Sequence, residues 1–172
     1  MPNWCSNTIE FNGNQNNLEN LAKLLEKTVD VQKKTGYGQL LHGLEGAIDG
    51  YMFDINYDLG NGFLYLSFES RWSPIVNDVV RIAELFRLTF VYDYEESGMG
   101  MYGQYTFKYE DDEESYLYKQ IADEEDIESC RFKEEGDGDD EESGFDYEKM
   151  KSLIEKASME SYPITRINQT VS

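Results

Sequence analysis

Apolar and polar residues alternate with period two in five stretches of the first 110 residues, and two stretches of helical spacing separate them. Asn7 to Phe11 alternates and stops at Asn12-Gly13, a turn signal after a short strand. From Asn14 to Val29 the apolar positions Leu18, Leu21, Ala22, Leu25 and Val29 fall on one helical face, behind an Asn-rich start suited to capping. Residues 30–51 hold five glycines and little period, which predicts a loop or a partly ordered insertion. Phe53, Ile55 and Tyr57 alternate with Asp54, Asn56 and Asp58. The turn Leu59-Gly60-Asn61-Gly62 then leads to Leu64, Leu66 and Phe68, which predicts a β-hairpin. Ser73-Pro74 reads as a helix start, with Ser as cap and Pro at the first helical position. Val76, Val79, Val80, Ala83 and Phe86 form the stripe of that helix. Two more strands follow, one through Leu88, Phe90, Tyr92 and Tyr94, the other through Met101, Gly103, Tyr105, Phe107 and Tyr109. The predicted order is β-α-β-β-α-β-β, an α+β fold with both helices on one face of an antiparallel sheet.

Charge divides the chain. It has 172 residues with 35 Asp and Glu against 15 Lys and Arg, a formal net of −20. Between Asp111 and Glu148 stand 18 acidic residues and only Lys119, Arg131 and Lys133 as cations. The expected organisation is a folded domain over residues 1–110 and an acidic extension over 111–172. Within the extension, 116–121 and 127–132 are expected as short strands. Asp146 to Ala157 reads as a helix with Asp146 as cap and Tyr147, Met150, Leu153, Ile154 and Ala157 inward. Residues 134–143 have no apolar residue to bury and are expected to be solvated and mobile.

Composition excludes several functions. Direct contact with nucleic acid needs clustered Lys and Arg, which this chain lacks. No apolar run approaches the ~20 residues of a membrane span, and the N-terminal stretch has no secretion-signal pattern. The expected compartment is the cytoplasm. His42 is the only histidine and Cys5 and Cys130 the only cysteines, so neither a thiolate or two-His metal site nor a Cys-His pair is expected. Residues 137–142 begin like a calcium loop, and Glu148 stands at its twelfth position, but Glu142 occupies the sixth, where such loops need Gly. No cofactor, metal or catalytic residue is expected.

Two segments carry a family resemblance. The first is Met1-Pro2-Asn3-Trp4-Cys5-Ser6-Asn7-Thr8, followed by a strand and Asn12-Gly13. The second runs from Phe68-Glu69-Ser70-Arg71-Trp72-Ser73-Pro74 through Leu88-Thr89-Phe90 and Tyr94-Glu95-Glu96-Ser97-Gly98-Met99-Gly100 to Gly103-Gln104-Tyr105-Thr106-Phe107. Together they resemble the YubB-type family, small proteins of bacteriophages, plasmids and bacterial genomes. The resemblance implies a ferredoxin-like βαββαβ domain over most of residues 1–110 and a mobile-element setting. It implies no activity and no iron–sulfur cluster.

Two binding surfaces are candidates. One is a groove lined by Trp4, Trp72, Tyr94 and Glu95, since exposed aromatics beside a carboxylate suit a small ligand or peptide. The other is the acidic run Asp137, Asp139, Asp140, Glu141 and Glu142. Carboxylates at a density like that of duplex DNA, one charge per ~1.7 Å of axis, compete for a basic cleft and steer a basic protein towards them. The favoured expectation is a non-enzymatic module that binds a basic host or phage protein, as a nucleic-acid mimic. A structural or interaction protein and a small-ligand domain are the alternatives. An enzyme using Glu95 and Glu96 ranks below them, because strand neighbours face opposite sides. An exposed last strand would also offer an edge for a homodimer.

Overall fold

The computed structural model describes residues 3–39, 50–111, 115–134 and 142–164. Among them the elements run β1 (Trp4–Asn12), α1 (Gln15–Thr35), β2 (Gly38–Gln39), β3 (Tyr51–Leu59), β4 (Phe63–Arg71), α2 (Val76–Phe86) and β5 (Thr89–Glu96). Then come β6 (Met101–Lys108), β7 (Ser115–Ile121), α3 (Glu124–Ser129), β8 (Arg131–Glu134), β9 (Glu142–Phe145), α4 (Tyr147–Lys156) and β10 (Glu160–Ile164). Eight strands form one sheet in the order β10-β7-β6-β5-β1-β4-β3-β2, and β8 pairs with β9 apart from it. Every neighbouring pair is antiparallel.

The core follows from alternation. Cys5, Ile9 and Phe11 of β1, Leu64, Leu66 and Phe68 of β4, and Phe90, Tyr92 and Tyr94 of β5 point to one face. There Leu18, Leu21 and Leu25 of α1 and Val79, Val80, Ile82 and Ala83 of α2 cover them. Each large side chain so buried contributes roughly 1.5–3 kcal/mol. The caps set the helix lengths. The Asn14 side chain accepts the Asn16 N–H at 2.9 Å, and α1 stops at Gly36, whose φ of 85° suits glycine.

Several expectations need correction. Helix α2 begins at Val76 with Ile75 in the cap position, so Ser73 is not the cap. The Ser73 carbonyl instead accepts the Ser70 hydroxyl at 2.7 Å, and the Ile75 N–H donates to the Tyr92 hydroxyl at 3.1 Å. The segment expected as a strand over 127–132 is divided: residues 127–129 end helix α3 and residues 131–132 open β8. Asp123 caps the helix by accepting the Asp126 N–H at 2.8 Å, and Ile127 and Cys130, three residues apart, both turn inward. Gly38–Gln39, expected in a loop, pairs with β3. Helix α4 starts after its Asp146 cap as expected, but Tyr147 faces outward.

Residues beyond 110 build onto the same sheet: β7 pairs with β6, and β10 pairs with β7. The outer edge of β6 is therefore occupied. Met150 and Ile154 of α4, Ile127 of α3 and Cys130 pack with Tyr102 and Ala122 into a second, smaller cluster. Tyr102 points away from the α1–α2 face, so α4 lies on the opposite side of the sheet. The Gln120 side chain fastens it there by donating to the carbonyls of Glu155 at 3.3 Å and Ala157 at 3.2 Å.

Candidate functional site

The strands have two faces with different contents. On the helix-packed face, the Asn7 side chain donates to the Cys5 carbonyl at 2.7 Å, the Phe68 carbonyl at 3.3 Å and the Ser70 hydroxyl at 2.9 Å. It accepts the Tyr92 hydroxyl at 2.7 Å. One buried amide thus joins β1, β4 and β5, and Tyr92 carries the chain of bonds on to the start of α2. Burial pushes the Cys5 thiol up to about 11, which leaves it an unreactive packing residue. Gly103 belongs to the same layer, since a Cβ there would lie 2.5 Å from the Tyr94 hydroxyl. Cys5, Asn7, Ser70 and Gly103, all within the two resembling segments, therefore have structural roles.

The opposite face can be read row by row from the pairing register. One row runs Phe53, Glu69, Ser6, Glu95, Tyr102. The next runs Asn56, Ser67, Thr8, Asp93, Gln104, Gln120. A third runs Asp58, Tyr65, Glu10, Val91, Thr106, Tyr118. Small hydroxyl residues make the middle of this face, and Glu10, Glu69, Asp93 and Glu95 stand around them. Among the described residues no helix packs on the β3-β4-β1 part; Ser6, Thr8, Ser67 and Tyr65 are exposed. Towards β6, helix α4 overhangs the sheet and leaves a cleft of about 270 Å³. Its floor is Ser6, Thr8, Asp93 and Glu95, and its walls come from Tyr102 and from Tyr147, Met150 and Ile154 of α4.

The electrostatics of this face vary from group to group. Glu10 is held below the usual carboxylate range by hydrogen bonds from Tyr65 and then Asn12. Asp93 accepts the Gln104 amide at 2.7 Å. Glu95 is different: burial raises its carboxyl, and among the described residues it has neither a hydrogen-bond nor an ion-pair partner. Its charge is also the second cause, after burial, of the raised Tyr102 hydroxyl.

The expected groove of Trp4, Trp72, Tyr94 and Glu95 does not form. Tyr94 is only 8% exposed, on the helix-packed face, stacked on Tyr105 at 5.5 Å between centroids. Glu95, its neighbour in a strand, necessarily points the other way. Trp4 is 40% exposed and packs edge-on against Phe53 at 4.9 Å, with the Arg71 guanidinium 5.0 Å from the Phe53 ring. Trp72 follows β4 at φ 69°, 51% exposed, with no ring against it among the described residues. Glu96 points inward and accepts the N–H groups of Gly98 and Met99 at 3.1 and 2.6 Å. It shapes the β5–β6 turn and shares no site with Glu95. Asp137, Asp139, Asp140 and Glu141, like His42, lie outside the described residues, and Glu142 opens β9. Ser6, Thr8, Asp93, Gln104 and Tyr102, which sequence reasoning did not select, are the same-face and cross-strand neighbours of Glu95; the period of two could have placed Asp93 on its face, while the others follow only from the long-range register.

Residues 50–141 match the family model described as the ferredoxin-like domain in Api92-like protein, over more than half of the chain. The chain belongs to this family. The matched segment supplies Glu69, Asp93, Glu95, Tyr102 and Gln104, whereas Ser6 and Thr8 of β1 and the whole of α4 lie outside it. Neither a curated protein nor a solved structure matches the chain. Among the described residues no group of three or more metal-ligating side chains converges, and no helix is long and apolar enough to cross a membrane.

Proposed function

We propose that this chain is a non-enzymatic binding module of a mobile genetic element, which holds a basic segment of a host or phage protein against the open face of its sheet. The mobile-element setting rests on the YubB-type resemblance of residues 1–110. The observation that carries the binding reading is the row register: Glu69, Asp93 and Glu95, with Glu10 beside them, surround exposed Ser6 and Thr8 on a face that α4 overhangs only towards β6.

The chemistry favours a cationic partner. Successive same-face residues of a strand are about 6.7 Å apart and neighbouring strands about 4.8 Å, so several carboxylates fall within one basic segment's reach. Hydroxyls on the floor accept N–H donors without adding bulk. The exposed Tyr65 at the margin offers a ring face to the stems and heads of Lys and Arg, as Trp4 and Phe53 already do to Arg71 of the same chain. Exposed Glu124, Glu125 and Glu128 on α3 and the overall −20 charge extend the negative field and speed encounter. In this reading the partner's basic surface is one that otherwise holds nucleic acid, and the module inhibits by occupying it.

The test compares the wild type with the triple variant Glu69→Gln/Asp93→Asn/Glu95→Gln for binding an Arg/Lys-rich peptide at low and high salt. Exposed pairs contribute ~0.2–1 kcal/mol each, so the variant is expected to bind about tenfold more weakly, and salt to weaken the wild type more than the variant. Equal affinity of the two proteins, or binding insensitive to salt, would remove the reading.

A further inference from the structure

The cleft beneath α4 has properties that a flat acidic face lacks. It is roofed by a helix, one wall is apolar (Met150 and Ile154), and the exposed Tyr147 ring stands at its mouth. At about 270 Å³ it is smaller than the ~300–1,000 Å³ of drug-sized pockets, so it suits a single side chain and excludes a folded element. Glu95 enters it from the floor as a half-buried carboxylate without a partner among the described residues, while its neighbour Asp93 is already engaged by Gln104. Burying such a charge is unfavourable unless an opposite charge completes it. Lys151 lies on the rim but is exposed and makes no ion pair with Glu95.

We infer that this cleft is the anchoring pocket for one arginine side chain of the basic partner segment, with Glu95 receiving the guanidinium and the α4 wall receiving its methylene stem. The inference rests on the binding reading above and narrows it to one residue type and one place. Arginine fits better than lysine for physical reasons. Its planar head pairs with a carboxylate through two N–H groups, stacks on an aromatic ring such as Tyr147, and sheds water more readily than an ammonium. A lysine head is a strongly hydrated point charge, and a half-buried cleft with one free carboxylate compensates its desolvation poorly. A neutral isostere of arginine keeps the shape and loses the charge, so the two contributions can be separated.

The test uses the full chain and capped peptides that are identical except at one central position: arginine, lysine or citrulline. Affinity is read by calorimetry and location by amide shifts. The arginine peptide is expected to shift Ser6, Thr8, Tyr102 and Met150, the lysine peptide to bind several-fold more weakly, and the citrulline peptide at least tenfold more weakly. Glu95→Gln is expected to reduce the arginine peptide to the level of citrulline on the wild type. Lys151→Gln, which removes a like charge from the rim, is expected to tighten arginine binding a few-fold. Thermal unfolding of each variant confirms that it folds. Equal binding of arginine and citrulline, or an arginine affinity untouched by Glu95→Gln, overturns the inference. If salt-dependent binding that needs Glu69 and Glu10 survives in that case, the open-face reading stands without the pocket. Free agmatine shifting the cleft residues while no peptide does also overturns it, in favour of a small-molecule site.

Discussion

The two faces of one set of strands divide the work of this molecule. On the helix-packed face, β1 contributes Cys5, Asn7, Ile9 and Phe11, all buried and packed or hydrogen-bonded within the protein. On the open face the intervening residues Ser6, Thr8 and Glu10 are small or charged and reach solvent. The same contrast holds in β5 between Phe90, Tyr92 and Tyr94 on one side and Asp93 and Glu95 on the other. A motif such as Trp4-Cys5-Ser6-Asn7-Thr8 therefore mixes two kinds of residue, and only the face a residue occupies separates structure from binding. Polar residues occur on both sides. Asn7 satisfies its hydrogen bonds internally, whereas the Glu95 carboxylate has no partner among the described residues.

Substitutions on the packed face should be the most damaging. Phe90→Ala removes a ring stacked 5.4 Å from Phe107 at the centre of the core. It is expected to cost about 3–5 kcal/mol, measured by urea unfolding. Next, Asn7→Ala abolishes the junction of β1, β4 and β5 and leaves the Ser70 and Tyr92 hydroxyls without their buried partner. A loss of about 3 kcal/mol is expected, with the melting temperature falling by roughly 6–12 °C. If Asn7→Ala unfolds with the wild type, the network is not the structural element that distinguishes this face.

On the open face the sign should reverse. Thr8→Ala is expected to change stability by less than about 0.5 kcal/mol. Glu95→Gln should stabilise the protein slightly at neutral pH. Burial raises the Glu95 carboxyl, so the folded state disfavours its ionised form. The stability tied to its protonation is fully present below the unfolded pKa and is lost as pH rises through the folded value. The advantage of Glu95→Gln should therefore shrink as pH falls through the carboxylate range. Solvent screening on a partly exposed group keeps it to about half a kcal/mol. A variant less stable than wild type at neutral pH would show that Glu95 is a structural residue after all.

Much of this arrangement was legible in the residues. Alternation identified β1, β3, β4, β5 and β6, and helical spacing identified α2 close to its observed range but α1 only as far as Val29, with residues 30–35, expected in a loop, continuing the helix to Thr35. Alternation cannot say which strands neighbour one another beyond a hairpin. The long-range register that sets Ser6 between Glu69 and Glu95 was therefore not visible. Local chemistry misled at Ser73-Pro74, where the hydrogen-bonded junction of Ser70 with the Ser73 carbonyl moves the helix start to Val76. Asp123-Glu124-Glu125-Asp126 is an acidic helix start, and it opens α3 just ahead of residues whose apolar spacing suggests a strand. The groove of Trp4, Trp72, Tyr94 and Glu95 failed on a point the sequence did contain: adjacent strand residues face opposite sides. The position of α4 over the open face depends on Gln120 and on the second apolar cluster, both tertiary features without a local signature.

Amide shift mapping with an arginine-containing basic peptide tests the division of faces most directly. The account predicts salt-sensitive shifts confined to the rows of Ser6, Ser67, Thr8, Glu69, Asp93 and Glu95 and to α4, with the α1 and α2 amides unmoved. Shifts centred on the α1–α2 side, or none on these rows at peptide concentrations that saturate binding, would contradict it.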